Sequence, residues 1–292
     1  MLLSEFFQGN DLVRDADVRL THYTYSPFEG TACFVLDDLY FESANTNKNV
    51  TAVITTRDYG QKVNISKGLI ICSNPKKAFY ELHNYLFSKA YMRLHQEHSI
   101  DSSAIIAPTA IIGKHVIIHS NVQIDHYAII EDYSVIGENT YIGPNVVIGA
   151  KGLRNTMIDG SFMQVFDAGG VSIGKNCEIL ANAIIQKSFN CEYTRVGDNT
   201  KISVKASIGH GSKVGSNTMI SGNAQIAGNV EIGDHVWIGP SVVIAEKLKI
   251  GDHAEIKLGS VVIKHVKARE AVSGNFAMNH QKHLTNFVKS QR

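Results

Sequence analysis

The sequence has almost no excess of charge: 28 basic residues stand against 27 acidic ones, for a formal net charge of +1. A polyanionic partner is gripped by a surplus of lysine and arginine, so this balance argues against nucleic-acid binding. The four cysteines, Cys33, Cys72, Cys177 and Cys191, are scattered and form no CxxC pair. Neither a zinc site nor a disulfide framework is expected, no metal enters the chemistry, and a reducing compartment suits the thiols. No stretch approaches the ~20 apolar residues of a membrane span. Met1-Leu2-Leu3-Ser4-Glu5 lacks the basic start and long apolar run of a signal peptide. The expectation is a soluble, cytoplasmic protein without a transmembrane segment.

What the sequence does have is an aliphatic residue at every sixth position. Ile100, Ile106, Ile112, Ile118, Ile124, Ile130, Ile136, Ile142 and Ile148 fall in unbroken register; Ile173, Ile179 and Ile185 resume it; Val196 to Val262 carries it onward. Four residues after these positions come small or β-branched side chains such as Ala110, Val116, Val122, Ala128, Ser134 and Thr140, with Gly, Asn, Asp and Pro between. An α-helix repeats every 3.6 residues and a flat strand every two, so neither keeps a sixfold period. A parallel β-helix does. The fold class is therefore mainly β: a β-helix over residues 99–267, preceded by a small α/β domain over 1–98 and followed by a C-terminal helical cap over 268–292.

In the first domain, Cys33-Phe34-Val35-Leu36, Thr51-Ala52-Val53-Ile54 and Gly68-Leu69-Ile70-Ile71 read as strands. A helix should follow the last, capped by Ser73 or Asn74, opened by Pro75 and buried along Phe79, Leu82 and Leu86. Two interruptions break the repeat. Lys151 to Gly170 carries Leu153, Met157, Phe162, Met163, Val165 and Phe166, and an excursion so apolar covers something: an acyl groove or a neighbouring subunit. Gln186 to Arg195 makes a smaller bulge. Beyond Val262, Ala277 to Arg292 reads as a helix bearing Lys282, His283, Lys289 and Arg292, a cap for the open solenoid end or a basic docking surface.

Three hexads close one coil, which stacks residues about 18 apart. The aliphatic position and the fourth after it point inward, and the second and third after it form an outward corner. His210 stands two after Ile208, and Gly228 lies on the same corner one coil on. A histidine beside a bare glycine amide offers what acyl transfer needs, a base for the nucleophile and a donor for the oxyanion. His126 shares this corner position, and His115, His235 and His253 stand one later, so geometry alone does not single out His210.

Motifs along nearly the whole chain resemble the enzyme family that N-acylates UDP-3-O-acyl-glucosamine in lipid A synthesis. They are Val146-Val147-Ile148-Gly149 with the loop behind it, Val171-Ser172-Ile173-Gly174, Ile202 to Gly215 with Ile208-Gly209-His210-Gly211, Ala271-Val272-Ser273-Gly274-Asn275, Cys33-Phe34-Val35-Leu36-Asp37-Asp38-Leu39-Tyr40 and Ile70-Ile71-Cys72-Ser73-Asn74-Pro75. The resemblance implies a left-handed β-helix, a homotrimer with shared active sites, His210 as general base, Gly228 as oxyanion donor, and Phe34 with Tyr40 as a clamp on a nucleobase. The alternative for these two aromatics is core filling. The substrate would be a nucleotide-linked amino sugar in cell-surface glycan or lipopolysaccharide synthesis. The acyl group would come from acyl-CoA or acyl carrier protein, with no permanently bound cofactor. Phe162 and Phe166 would line the acyl groove. The sequence departs from the family at Gly211, where an Asn is usual, at Ser203-Val204 and Ser207, at Asp37 between the aromatics, and at Lys247 in place of a second histidine. These departures bear on the sugar and the donor. Trp237-Ile238-Gly239-Pro240-Ser241 is similar to a motif of short-chain, CoA-dependent nucleotide-sugar acetyltransferases, and a non-catalytic scaffold subunit is the remaining alternative.

Overall fold

The computed structural model describes residues 1–92, 94–274 and 278–290. Its contacts divide the chain into two units, the first made of Met1–Gln96, Lys151–Gly170 and Lys187–Tyr193, the second of Glu97–Ala150, Val171–Gln186 and Thr194–Arg292. A linear boundary near residue 98 therefore misses that both excursions from the repeat pack with the first unit.

In that unit the strands are β1 (Leu12–Arg14), β2 (Leu20–Thr21), β3 (Thr31–Val35), β4 (Val50–Thr55) and β5 (Gly68–Ile71). They form one sheet in the order β1-β5-β4-β3-β2, parallel except at β1. Helix α1 (Asp38–Thr46) connects β3 to β4, the short α2 (Arg57–Gly60) follows β4, and α3 (Pro75–Ser88) follows β5. Asn74 caps α3 by accepting from the Lys77 amide at 3.0 Å, and Pro75 opens it. The pleat sorts the strand residues. Ala32, Ile54 and Ile70 pack with Phe79, Leu82 and Leu86 of α3. Cys33, Val35, Val53 and Leu69 pack with Ala44 and Phe41 of α1.

The second unit is a left-handed parallel β-helix. Its strands are mostly two residues long and stack into three parallel sheets in strict register, as in Ile106–Ile124–Ile142–Ile179–Ile202–Ile220–Ile238–Ile256. From Ile118 onward the aliphatic positions are almost wholly buried, each burial being worth about 1.5–3 kcal/mol. Some inward small positions hold hydroxyls, and the ladder satisfies them. Thr218 Oγ1 donates to the Gly233 carbonyl at 3.0 Å and accepts from the Val236 amide at 3.1 Å; Ser212 does the same with Ala227 and Val230. The third residue after most of the aliphatic positions turns the corner in the left-handed region, and Asn121, Asn139, Asn145, Asn217 and Asn229 all occupy it. Asn tolerates that region because its short polar side chain bonds locally, and Gly because it has no Cβ.

Helix α4 spans His280–Ser290. Each of its residues whose burial is described is exposed, Leu284 and Val288 included. The side chain of His283, together with Asn275, Ala277 and Arg292, lies outside the described residues. Among the described residues no helix is long and apolar enough to cross a membrane.

Candidate active site

Ile208 fills the interior of its coil, paired with Ile185 before it and Ile226 after it. That register sets His210 outward and directly against Gly228. A Cβ built on Gly228 would fall within 2.5 Å of the His210 Nε2 and closer still to Cε1. Any side chain there would have to displace the imidazole. The residue is buried beneath the imidazole, and among the described residues its amide makes no hydrogen bond.

The backbone around His210 is held from three sides. Gln186 Oε1 accepts from the His210 amide at 3.2 Å, the Asn229 amide donates to the His210 carbonyl at 2.8 Å, and Thr194 Oγ1 accepts from the Gly211 amide at 2.8 Å. Gly211 has φ +68°, so it sits in the left-handed corner that Asn fills elsewhere. The departure from the family pattern there keeps the turn and removes one polar side chain. Gln186 and Thr194 went unnoticed in the sequence because each lies where an excursion leaves or rejoins the repeat.

The other outward histidines meet different neighbours. His115 stacks on Tyr133 with ring centres 5.0 Å apart, and His235 stacks on His253 at 4.9 Å. His126 bonds Thr109 Oγ1 at 2.9 Å. Of these histidines, His210 is the one that rests on a glycine. Lys247 lies beside this corner: its amide donates to the Gly228 carbonyl at 3.1 Å, while its side chain is 70% exposed with Nζ 3.7 Å from Glu246.

Phe34 and Tyr40 make no ring contact with each other among the described residues. Phe34 lies on the α3 face of the sheet, its ring 4.9 Å from Phe79 and 6.4 Å from Tyr80. Tyr40 is on α1, which covers the opposite face, and is largely exposed. Strand alternation sets Phe34 on the α3 face, where it is partly buried. Asp37 caps α1, its carboxylate accepting from the Tyr40 amide at 3.3 Å.

The apolar excursion forms an antiparallel hairpin, Asn155–Ile158 with Ser161–Gln164. Within the first unit it is pinned to α3. Asn84 Nδ2 donates to the Gln164 carbonyl at 2.8 Å, the Phe166 amide donates to Asn84 Oδ1 at 3.1 Å, and Lys77 pairs with Asp159 at 2.8 Å. His83 lies 2.7 Å from the Phe166 carbonyl and 2.6 Å from Thr21 Oγ1. Burial holds its imidazole pKa down at about 4. Val165 and Ala168 join the core, Phe166 stacks on Phe87, and Leu153, Met157 and Phe162 remain exposed.

The family described as bacterial transferase hexapeptide (six repeats) matches residues 115–150 and 229–264. No curated protein matches the sequence. Among solved structures, a UDP-N-acetylglucosamine acyltransferase of Francisella novicida is 28% identical, covers 67% of this chain and 71% of its own, and has a TM-score of 0.54. The UDP-N-acetylglucosamine O-acyltransferase of Moraxella catarrhalis is 26% identical over 66% of this chain and 77% of its own, with a TM-score of 0.40. PerB of Caulobacter crescentus, solved with CoA and GDP-perosamine, is 13% identical over 82% of this chain and 73% of its own, with a TM-score of 0.25. Of these three, only the Francisella likeness bears on the function of this hexapeptide-repeat chain.

Proposed function

We propose that this chain is an acyltransferase that moves an acyl group from a thioester, acyl-CoA or acyl carrier protein, to the amino group of a nucleotide-linked sugar. The observation that carries the reading is His210 resting on Gly228, an outward imidazole against an amide that makes no hydrogen bond among the described residues. The likeness to the Francisella acyltransferase supports the reaction class and the nucleotide sugar.

His210 takes the proton from the sugar amine as its nitrogen attacks the thioester carbonyl. A base of this kind contributes on the order of 10²- to 10⁴-fold. The carbonyl oxygen becomes an oxyanion, to which the Gly228 amide donates, worth roughly 10²- to 10³-fold. Collapse of the tetrahedral intermediate breaks the C–S bond, and the leaving sulfur takes the proton from the imidazolium. The imidazole covers the glycine in the resting site, so the ring would have to turn aside for the Gly228 amide to reach the oxyanion. A homotrimer would complete the site, with the corner of His210 facing a second copy of the chain.

The fixed hairpin, with Leu153, Met157 and Phe162 exposed along it, favours an acyl chain longer than acetyl, each buried methylene adding up to about 0.8 kcal/mol. The test is thiol release from acyl-CoA and acyl-carrier-protein donors of two carbons upward, with UDP- and dTDP-linked amino sugars as acceptors. Turnover that rises with chain length and then falls supports the long-chain reading. An optimum at acetyl assigns the short-chain, CoA-dependent reaction. No release with any pair leaves a scaffold and overturns the enzyme reading.

A further inference from the structure

Both excursions leave the β-helix behind one column of aliphatic residues. Lys151–Gly170 follows Ile148, Lys187–Tyr193 follows Ile185, and Ile208, two residues before His210, is next in that column. His210 therefore stands on the first corner to close after two that are drawn out.

At an unbroken corner the third residue donates its amide to a carbonyl one coil back. Tyr133 does so to Lys114 at 3.2 Å, Asn229 to His210 at 2.8 Å and Lys247 to Gly228 at 3.1 Å. The corner before His210 has been drawn out into the second excursion, and side chains serve instead. Thr194 Oγ1 accepts from the Gly211 amide at 2.8 Å and Gln186 Oε1 from the His210 amide at 3.2 Å. Thr194 is fully buried and Gln186 half-buried, so packing restricts both. They are also the residues immediately before and after the second excursion.

That excursion is fixed within the first unit. The Ala168, Gly169 and Gly170 amides donate to the carbonyls of Phe189, Ser188 and Glu192 at 2.8, 3.0 and 3.0 Å. Phe189 is buried in that unit's core and stacks on His83 with ring centres 4.3 Å apart. Each end of this anchored segment is thus one residue away from a side chain that holds the His210 turn. A displacement of about 1 Å at a reacting group can cost on the order of 10²-fold in rate, so a shift of the excursion is enough to matter.

We propose that Gln186 and Thr194 are positioning residues for His210, and that through them the second excursion sets the placing of the base and hence the rate. The proposal rests on His210 as the base.

The experiment follows thiol release by the full chain together with hydrogen–deuterium exchange at the His210 and Gly211 amides. Gln186→Leu and Thr194→Val remove the acceptors. Each should lower kcat about tenfold or more with KM little changed, and should speed exchange at its own amide. Gln186→Glu and Thr194→Ser keep an acceptor oxygen and should restore both readouts. Gly169→Ala tests the excursion itself, because the added Cβ would meet the Asn190 and Glu192 carbonyls and force the segment to shift. It should speed exchange at the same two amides and lower kcat with Gln186, Thr194 and His210 all intact. Phe189→Leu, which removes the stack on His83, serves where Gly169→Ala does not fold. Exchange and kcat unmoved in the excursion variant, or no rescue by Gln186→Glu and Thr194→Ser, overturns the proposal. An inactive His210→Ala beside that result leaves the base reading standing; an active His210→Ala overturns the base reading and this proposal with it.

Discussion

In the β-helix, Ile136 lies between Ile118 and Ile173, and Ile232 lies between Val214 and Ile250, so residues far apart in sequence share one environment. The first unit offers no such equivalence. There Phe34 and Tyr40, six residues apart, lie on opposite sides of a sheet. Periodic structure makes a side chain's direction a matter of counting. Aperiodic structure makes it depend on which helix follows which strand, and which excursion returns to cover it.

That difference is open to test. The largest effects should come from core truncation. Ile136→Ala and Ile232→Ala should each cost about 2–5 kcal/mol and agree within about 1 kcal/mol, since a repeat array adds equivalent neighbour terms. Phe79→Ala, in a setting of its own, should cost about 3–5 kcal/mol. Denaturant unfolding measures all three, and a wide gap between the two isoleucine variants would break the equivalence.

Next comes Gly228→Ala. The added Cβ meets the His210 ring while the corner is otherwise undisturbed. Thiol release should fall roughly 10²-fold or more with the melting temperature little changed. A variant of near-normal rate removes Gly228 from the site.

A smaller effect concerns pH. His83 titrates at about 4 when folded, below its ordinary 6.5, so the unfolded chain binds more protons between those values and stability rises with pH across that window. His83 is faced by Thr21, the Phe166 carbonyl and the Arg154 charge. Asp167, faced by Arg154, Lys187 and Lys151, titrates at about 6, above its ordinary 3.8, so its contribution falls as pH rises from about 4 to 6. The two oppose each other. Asp167→Asn should therefore gain stability more steeply than wild type between pH 4 and 6.5, and identical slopes in urea midpoints would contradict the assignment. The smallest effect belongs to Tyr40→Ala: exposed on α1, it should shift stability within about 0.5 kcal/mol and leave nucleotide binding unchanged. A large loss of nucleotide affinity would support the clamp.

The same contrast explains what was legible in the sequence. The sixfold period carried the whole coil arrangement, because every inward isoleucine is stacked on another, and it placed His210 over Gly228 by counting alone. Asn74, Pro75, Phe79, Leu82 and Leu86 likewise announced α3. For Phe34 and Tyr40 both a clamp and core filling stayed open, because spacing along a strand and a helix does not reveal which face each serves. The excursions were visible as breaks, but not their destination, which depends on contacts such as Asn84 with Gln164.

The account rests most heavily on His210 as the base, and single-turnover thiol release by wild type and His210→Ala tests it most directly. With acyl-CoA and an amino-sugar nucleotide at saturation, the variant should be slowed at least about 10²-fold, with wild-type unfolding midpoint and oligomeric state. A folded His210→Ala protein that releases thiol at close to the wild-type rate would contradict the account and move the search to His126 or Lys247.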